Sequence, residues 1–309
     1  MLVRRGVVAL FTLLALTACG DDAATDPQGL LPQASESQGR QAGDTGGGDN
    51  AAGLQAEGSA GASSNANAKD KTTAFVQKLP GTFGIIVRDR QGGTVFKAGN
   101  TTATTWTAST IKLAIATDLL ERQQAKEITL DAADKANLDK ALINSDNDAA
   151  TALWNKYDGA ATIGKWKSQY GMGSLAVVDG MDTFWRNLRC SAEDLQSLMS
   201  YVLEKLDATS RSYLVTTLRK VAGNQHWGVW AAGSGLKPGN KDGWVEKPVN
   251  GVNVWMTHTV GFAGDGERYV VAVVYEQKSG GSLDKGAHAV SDAVATYFGA
   301  KVPAPVTLP

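Results

Sequence analysis

Apolar residues along this chain change their spacing four times, alternating between helical and strand periods. Phe75, Val76 and Leu79 lie at helical spacing ahead of Pro80, which predicts a short amphipathic helix that stops there. Thr82 to Val87 is rich in β-formers, and Gln91-Gly92-Gly93 turns the chain into Thr94-Val95-Phe96, so a hairpin follows. From Ser109 to Gln123 the residues Ile111, Leu113, Ala114, Ile115, Ala116, Leu119 and Leu120 cover most of a helix circumference. A helix apolar nearly all round belongs in a core. Further helices are marked by Leu138, Ala141 and Leu142, by Ala149 to Trp154, and by Leu195, Leu198 and Leu203 within Ala192 to Leu206.

After Gly239 the period falls to two, with Val252, Val254 and Met256 alternating with Asn253, Trp255 and Thr257. Gly264-Asp265-Gly266 marks a hairpin into Tyr269 to Tyr275, an unbroken apolar run suited to a central antiparallel strand. Val290, Val294 and Phe298 place a last helix against that sheet. The order predicts an α+β fold: an antiparallel sheet with flanking terminal helices, plus an all-helical half.

The N-terminus has a different character. Arg4 and Arg5 precede a run from Val7 to Leu16 that is apolar apart from Thr12 and too short to span a bilayer stably, which reads as a secretory signal. Its ending, Leu16-Thr17-Ala18-Cys19, resembles the bacterial lipobox, which implies cleavage after residue 18 and acylation of the Cys19 thiol. Residues 19–69 are mostly Gly, Ala, Ser, Asp, Asn and Gln and predict a flexible tether with a root-mean-square span of roughly 40 Å. Residues 70–301 then form one domain, and 302–309, with three prolines, an extended tail. These readings place the domain outside the cell membrane, held to its outer face by lipid.

Charge narrows the function further. Among 309 residues the formal net charge is −1, and no basic cluster suits a nucleic-acid surface. His226, His258 and His288 lack metal-ligand spacing, and Cys190 has no partner once Cys19 is acylated, so no metal, cofactor or disulfide is expected.

Three short motifs carry candidate chemistry. Ser-x-x-Lys occurs at Ser109, Ser234 and Ser282, but only Ser109 opens a long apolar helix, where Lys112 shares a face with the hydroxyl. A serine hydroxyl needs an adjacent base, and burial beside a second cation would lower a lysine toward that role. Ser145-Asp146-Asn147 lies between two helical segments, a place where the same residues also serve as caps. Lys241-Asp242-Gly243 lies where helices give way to strands, and its glycine would let a ligand approach the backbone.

In this order the motifs resemble the Ser-x-x-Lys, Ser-Asp-Asn and Lys-Thr/Ser-Gly set of class A β-lactamases and penicillin-binding proteins. Asn240 to Trp244 and Thr257 to Gly261 look more like an actinobacterial-type lipoprotein subgroup than a resistance enzyme. The resemblance implies a β-lactamase/transpeptidase-like fold with the active site between its halves. It implies Ser109 as nucleophile, Lys112 as base and Ser145 as proton relay, with Asn147, Lys241 and Gly243 binding substrate and the Ser109 and Trp244 backbone N–H groups forming an oxyanion hole. Substrates would be β-lactams or the D-alanyl peptide ends of peptidoglycan.

Two departures qualify this. Asp242 replaces the usual threonine or serine, although strand alternation should turn it away from Lys241 and Gly243. Between Tyr170 and Arg189, where class A enzymes carry the glutamate that activates the deacylating water, no glutamate exists; Asp179 and Asp182 are the only carboxylates. Slow deacylation is the expectation. The alternative is a catalytically silent envelope lipoprotein that binds a cell-wall fragment or a partner.

Overall fold

The computed structural model describes residues 66–309. The leader 1–18, Cys19 and the tether as far as residue 65 lie outside the described residues. Helix α1 (residues 66–76) already includes 66–69, which composition alone assigns to the tether. Its alanines favour helix, and the Thr72 and Thr73 hydroxyls donate to the Ala68 and Lys69 carbonyls.

Strands β1 (Thr82–Asp89) and β2 (Val95–Gly99) form the first hairpin, and β3 (Thr105–Trp106) follows. Next come α2 (Lys112–Gln124), α3 (Ala132–Ile143), α4 (Asn147–Lys156) and α5 (Gly159–Ser168). Two short strands, β4 (Ala176–Val177) and β5 (Leu188–Cys190), precede α6 (Ala192–Glu204) and α7 (Ala208–Leu218). The chain ends in β6 (Gly239–Val249), β7 (Val252–Ala263), β8 (Tyr269–Glu276) and α8 (Leu283–Phe298). The predicted α+β order is thus observed, with α5, α7 and the small sheet β3-β5-β4 in addition. Strands of two or three residues are too short to show a period, which is why the sequence pattern misses them.

The main sheet runs β2-β1-β8-β7-β6, antiparallel throughout. Its central strand is buried on both faces, which explains the unbroken apolar run. Val271, Val273 and Tyr275 face α8, whereas Val270, Ala272 and Val274 face the helical half. The β6–β7 turn is Asn250-Gly251, both at positive φ (50° and 79°), the backbone of a tight type I′ hairpin. The tail is extended but not free: Val306 and Leu308 pack with the α8 layer, and Ala304 N–H donates to Asp292 Oδ1 at 2.7 Å.

Helix α2 is the pillar of the helical half, buried without interruption from Lys112 to Leu120. Helix α6 packs on the sheet against β8, β1 and β7, its start fixed by a reciprocal Ser191–Asp194 capping box. Leu198 on α6 is fully buried in the core that joins both halves. Leu198→Ala is expected to lower unfolding free energy by about 2–5 kcal/mol, read as a lower urea midpoint at unchanged slope.

Candidate active site

The three motifs converge where the sheet edge meets the helical half. Ser109 stands in a 3-10 turn (Ala108–Ile111), and the α-helix proper begins at Lys112, three residues later than the apolar pattern suggests. In that tight turn residues three apart eclipse one another, which brings Lys112 Nζ to 3.0 Å from Ser109 Oγ. Ala108 enters the turn in the left-handed region (φ 47°), a strained conformation for a residue with a Cβ.

Ser145-Asp146-Asn147 divides its work. Asp146 is the cap of α4, its carboxylate accepting from Ala149 N–H at 2.8 Å. Ser145 is left-handed (φ 57°) and Asn147 is the first helical residue; both turn their side chains to Lys112. Lys112 Nζ lies 2.5 Å from the Ser145 carbonyl oxygen, 2.8 Å from Asn147 Oδ1 and 3.4 Å from Ser145 Oγ. Burial is the first cause that lowers Lys112 to about 6, followed by the positive charges of Lys241 and Arg186.

That environment fits a neutral amine. The Ser145 carbonyl and the Asn147 Oδ1 can only accept, so they take two N–H hydrogens and leave the nitrogen lone pair for the Ser109 hydroxyl.

Lys241 lies on β6, the edge strand, and is fully buried. Its ammonium has three acceptors: Ser145 Oγ at 2.9 Å, Gln225 Oε1 at 2.7 Å and the Asp242 carbonyl at 2.8 Å. Three N–H groups meet three acceptors, so Lys241 has no donor left for a ligand and does not line the cleft. In this geometry the lysine expected to bind substrate holds Ser145. Gln225 is the partner that sequence reasoning misses; its Nε2 also donates to the Ile143 carbonyl at 2.6 Å, tying the end of α3 to the sheet.

Asp242 faces away from the cleft as alternation predicts, beside its cross-strand partner Thr259. Burial pushes its carboxyl well above the usual carboxylate range. The Trp244 ring leaves the cleft likewise, packing 6.2 Å from Trp227, so Trp244 contributes backbone to the cleft wall. At Gly243 a Cβ would stand 2.9 Å from Ser109 N and 2.8 Å from Thr110 N. Gly243→Ala would push β6 off the nucleophile turn, and covalent labelling by a penicillin is expected to slow about 10²-fold.

A cavity of about 230 Å³ opens above these groups, lined by Ser109, Ser145 and Asn147 with Trp106, Trp185 and Arg186 among its walls. Trp185 and Arg186 come from the stretch that lacks a glutamate; Lys112 Nζ sits 5.0 Å from the Trp185 ring. Asp179 and Asp182 are both exposed and neither lines the cavity, so among the described residues no carboxylate stands at its wall. His258 supports the wall from behind, its Nε2–H donating to the Trp106 carbonyl at 2.8 Å while Nδ1 accepts from Tyr275 N–H. His226 stacks on Trp230 outside the cavity. The other Ser-x-x-Lys matches are structural: Ser282 caps α8, and Lys237 pairs with Asp265.

A cleft between an antiparallel sheet and a helical half, with a serine–lysine pair in it, marks a fold of the β-lactamase type. Comparison with known proteins agrees. Residues 67–139 match the profile described as "Beta-lactamase enzyme family". The class A β-lactamase from Mycobacterium abscessus superposes with a TM-score of 0.59 at 19% identity, over 74% of this chain and 97% of that one. A β-lactamase from Chitinophaga pinensis gives 0.64 at 14% identity, over 75% and 98%. The protein named "Putative lipoprotein LppW" of Mycobacterium tuberculosis is 28% identical over 225 residues, 70% of this chain and 69% of its own length. The chain is β-lactamase-like, with the class A fold and a lipoprotein relative.

Proposed function

We propose that the protein is a lipid-anchored serine acyl-enzyme hydrolase acting on β-lactams or D-alanyl peptide ends, with slow deacylation. The observation that carries this reading is the buried Lys112 amine 3.0 Å from Ser109 Oγ, where burial lowers it to about 6. In this reading Ser109 Oγ bonds to the substrate carbonyl carbon as its proton passes to Lys112. The oxyanion is taken by the Ser109 and Trp244 backbone N–H groups, a role supported by the close approach of Gly243 to Ser109 N.

Collapse of the tetrahedral adduct needs a proton on the leaving nitrogen. Ser145 Oγ is suited to donate it, because it accepts from Lys241 and keeps its own hydrogen free. The proton that Lys112 gained returns to Ser145 across 3.4 Å, so the base is neutral again. Asn147 Nδ2 has no partner among the described residues and would bind the substrate amide. No cleft carboxylate is available to activate the second water, which favours a long-lived acyl-enzyme. Attachment through acylated Cys19 to the outer face of the cell membrane follows from the leader and fits the lipoprotein relative.

Intact-mass spectrometry of the protein incubated with a fluorescent penicillin tests the reading. The expected result is one adduct, mapped to the peptide containing Ser109 and persisting after free drug is removed. Absence of any adduct, with the drug unconsumed, would replace the reading with a silent envelope lipoprotein; turnover without an adduct would mean efficient deacylation by a group outside the cleft wall described above.

A further inference from the structure

Penicillins and peptide ends share a free carboxylate, and the motif lysine that would be expected to receive it is saturated. Lys241 spends its three N–H groups on Ser145, Gln225 and its own strand, and is sealed from the cavity. Lys112 is similarly occupied by two obligate acceptors and the nucleophile. Breaking one of these buried bonds to admit a ligand would leave an unpaired polar group in the interior.

Two other cations line the same cavity, Arg186 and Lys247. Lys247 is on the odd-numbered face of β6 shared by Lys241, Gly243 and Val245, and its Nζ rests 4.4 Å from the Trp106 ring centroid. Arg186 rests its guanidinium 4.9 Å from the Trp185 ring centroid. Neither makes a side-chain hydrogen bond or an ion pair among the described residues, whereas most arginines of the domain are paired with carboxylates, as in Arg88–Glu204, Arg211–Glu267 and Arg268–Asp89. The aromatic faces hold the two cations in place without using their N–H donors. The cavity therefore presents two ready cations and no carboxylate at its wall, which is the chemistry of an anion receptor.

We infer that the ligand's carboxylate is received by Lys247 and Arg186 at the cavity wall, and not by Lys241. This rests on the proposed reading of the site. It changes which residues set specificity: the motif lysine orders the proton relay, and recognition of the acidic end falls to the two residues stacked on Trp106 and Trp185.

The test separates recognition from catalysis by using Ser109→Ala protein, in which no acylation can interfere. Equilibrium binding of benzylpenicillin and of its methyl ester is measured by calorimetry, with and without Lys247→Gln and Arg186→Gln. The acid is expected to bind about tenfold more tightly than the ester, a preference that falls in each single variant and vanishes in the double variant at unchanged thermal midpoint. Equal binding of acid and ester, no binding of either, or an acid preference untouched by the double variant would overturn the inference. Covalent labelling of the Ser109 protein is scored separately. An adduct without carboxylate preference sinks the inference and leaves the catalytic reading; a preference that follows Lys247 and Arg186 without any adduct does the reverse.

Discussion

Ser109→Ala is expected to abolish covalent labelling by any penicillin while leaving the domain folded. The hydroxyl that is lost lines the cavity with the Lys112 amine at 3.0 Å, nearer than the 3.4 Å between that amine and Ser145 Oγ. Ser145 cannot replace it, because its oxygen already accepts from Lys241 and its backbone is fixed in the left-handed region between α3 and α4. The variant loses one partner of a site that faces the cavity, so little stability should change. Intact mass and a thermal scan together check both halves. Residual labelling at the wild-type rate would place the nucleophile elsewhere and end the proposed chemistry.

Lys112→Met is expected to slow acylation by about 10²–10⁴-fold, the usual worth of a positioned base. It should also remove the pH dependence. In the parent the rate rises with pH as the amine loses its proton near pH 6 and then levels; without the amine that limb disappears. The same substitution should remove a pH-dependent destabilisation, against a pH-independent loss from the Ser145 carbonyl and Asn147 Oδ1 that it leaves without a donor. Lys112 is lowered to about 6 in the folded chain from 10.5, so between these values unfolding takes up a proton and the destabilisation shrinks as pH rises. The gain from methionine is therefore largest below pH 6 and fades toward pH 10. Rapid-mixing fluorescence of penicillin labelling across pH 5–9, alongside urea melts at pH 5.5 and 9, measures the two effects. A parallel fall in rate and stability would mean that Lys112 is structural.

These two residues illustrate how far the chain could be read before folding. Ser109 and Lys112 were legible as a pair because the motif opens a long helix that is apolar nearly all round, and burial of such a helix follows from that pattern. The lowering of the lysine is a direct consequence of the same burial. Alternation along β6 likewise put Asp242 opposite Lys241, and the register with β7 agrees. The two motifs that could equally be caps were not separable by type: Asp146 does cap α4, whereas its neighbours Ser145 and Asn147 face Lys112.

What one-dimensional reasoning could not supply was the count of acceptors around each nitrogen. Gln225 is 16 residues from Lys241 along the chain and carries no motif, yet its Oε1 takes one of the three lysine donors. Trp106, the neighbours Trp185 and Arg186, and Lys247 come from three separate places and meet only when the small sheet and the β6 edge close on the same cavity.

The amino-acid sequence by itself determined the α+β class, the buried pillar helix, the spacing of the serine–lysine pair and the absence of a glutamate between Tyr170 and Arg189, because periodicity and local spacing are properties of neighbours along the chain. The tertiary structure alone decided which lysine stands beside Ser109 Oγ, which is held on Ser145, and which cations at the cavity wall keep their donors unpaired among the described residues. Hydrogen-bond saturation is set by groups tens of residues apart, and a lysine's chemistry depends on how many of its donors are already spent.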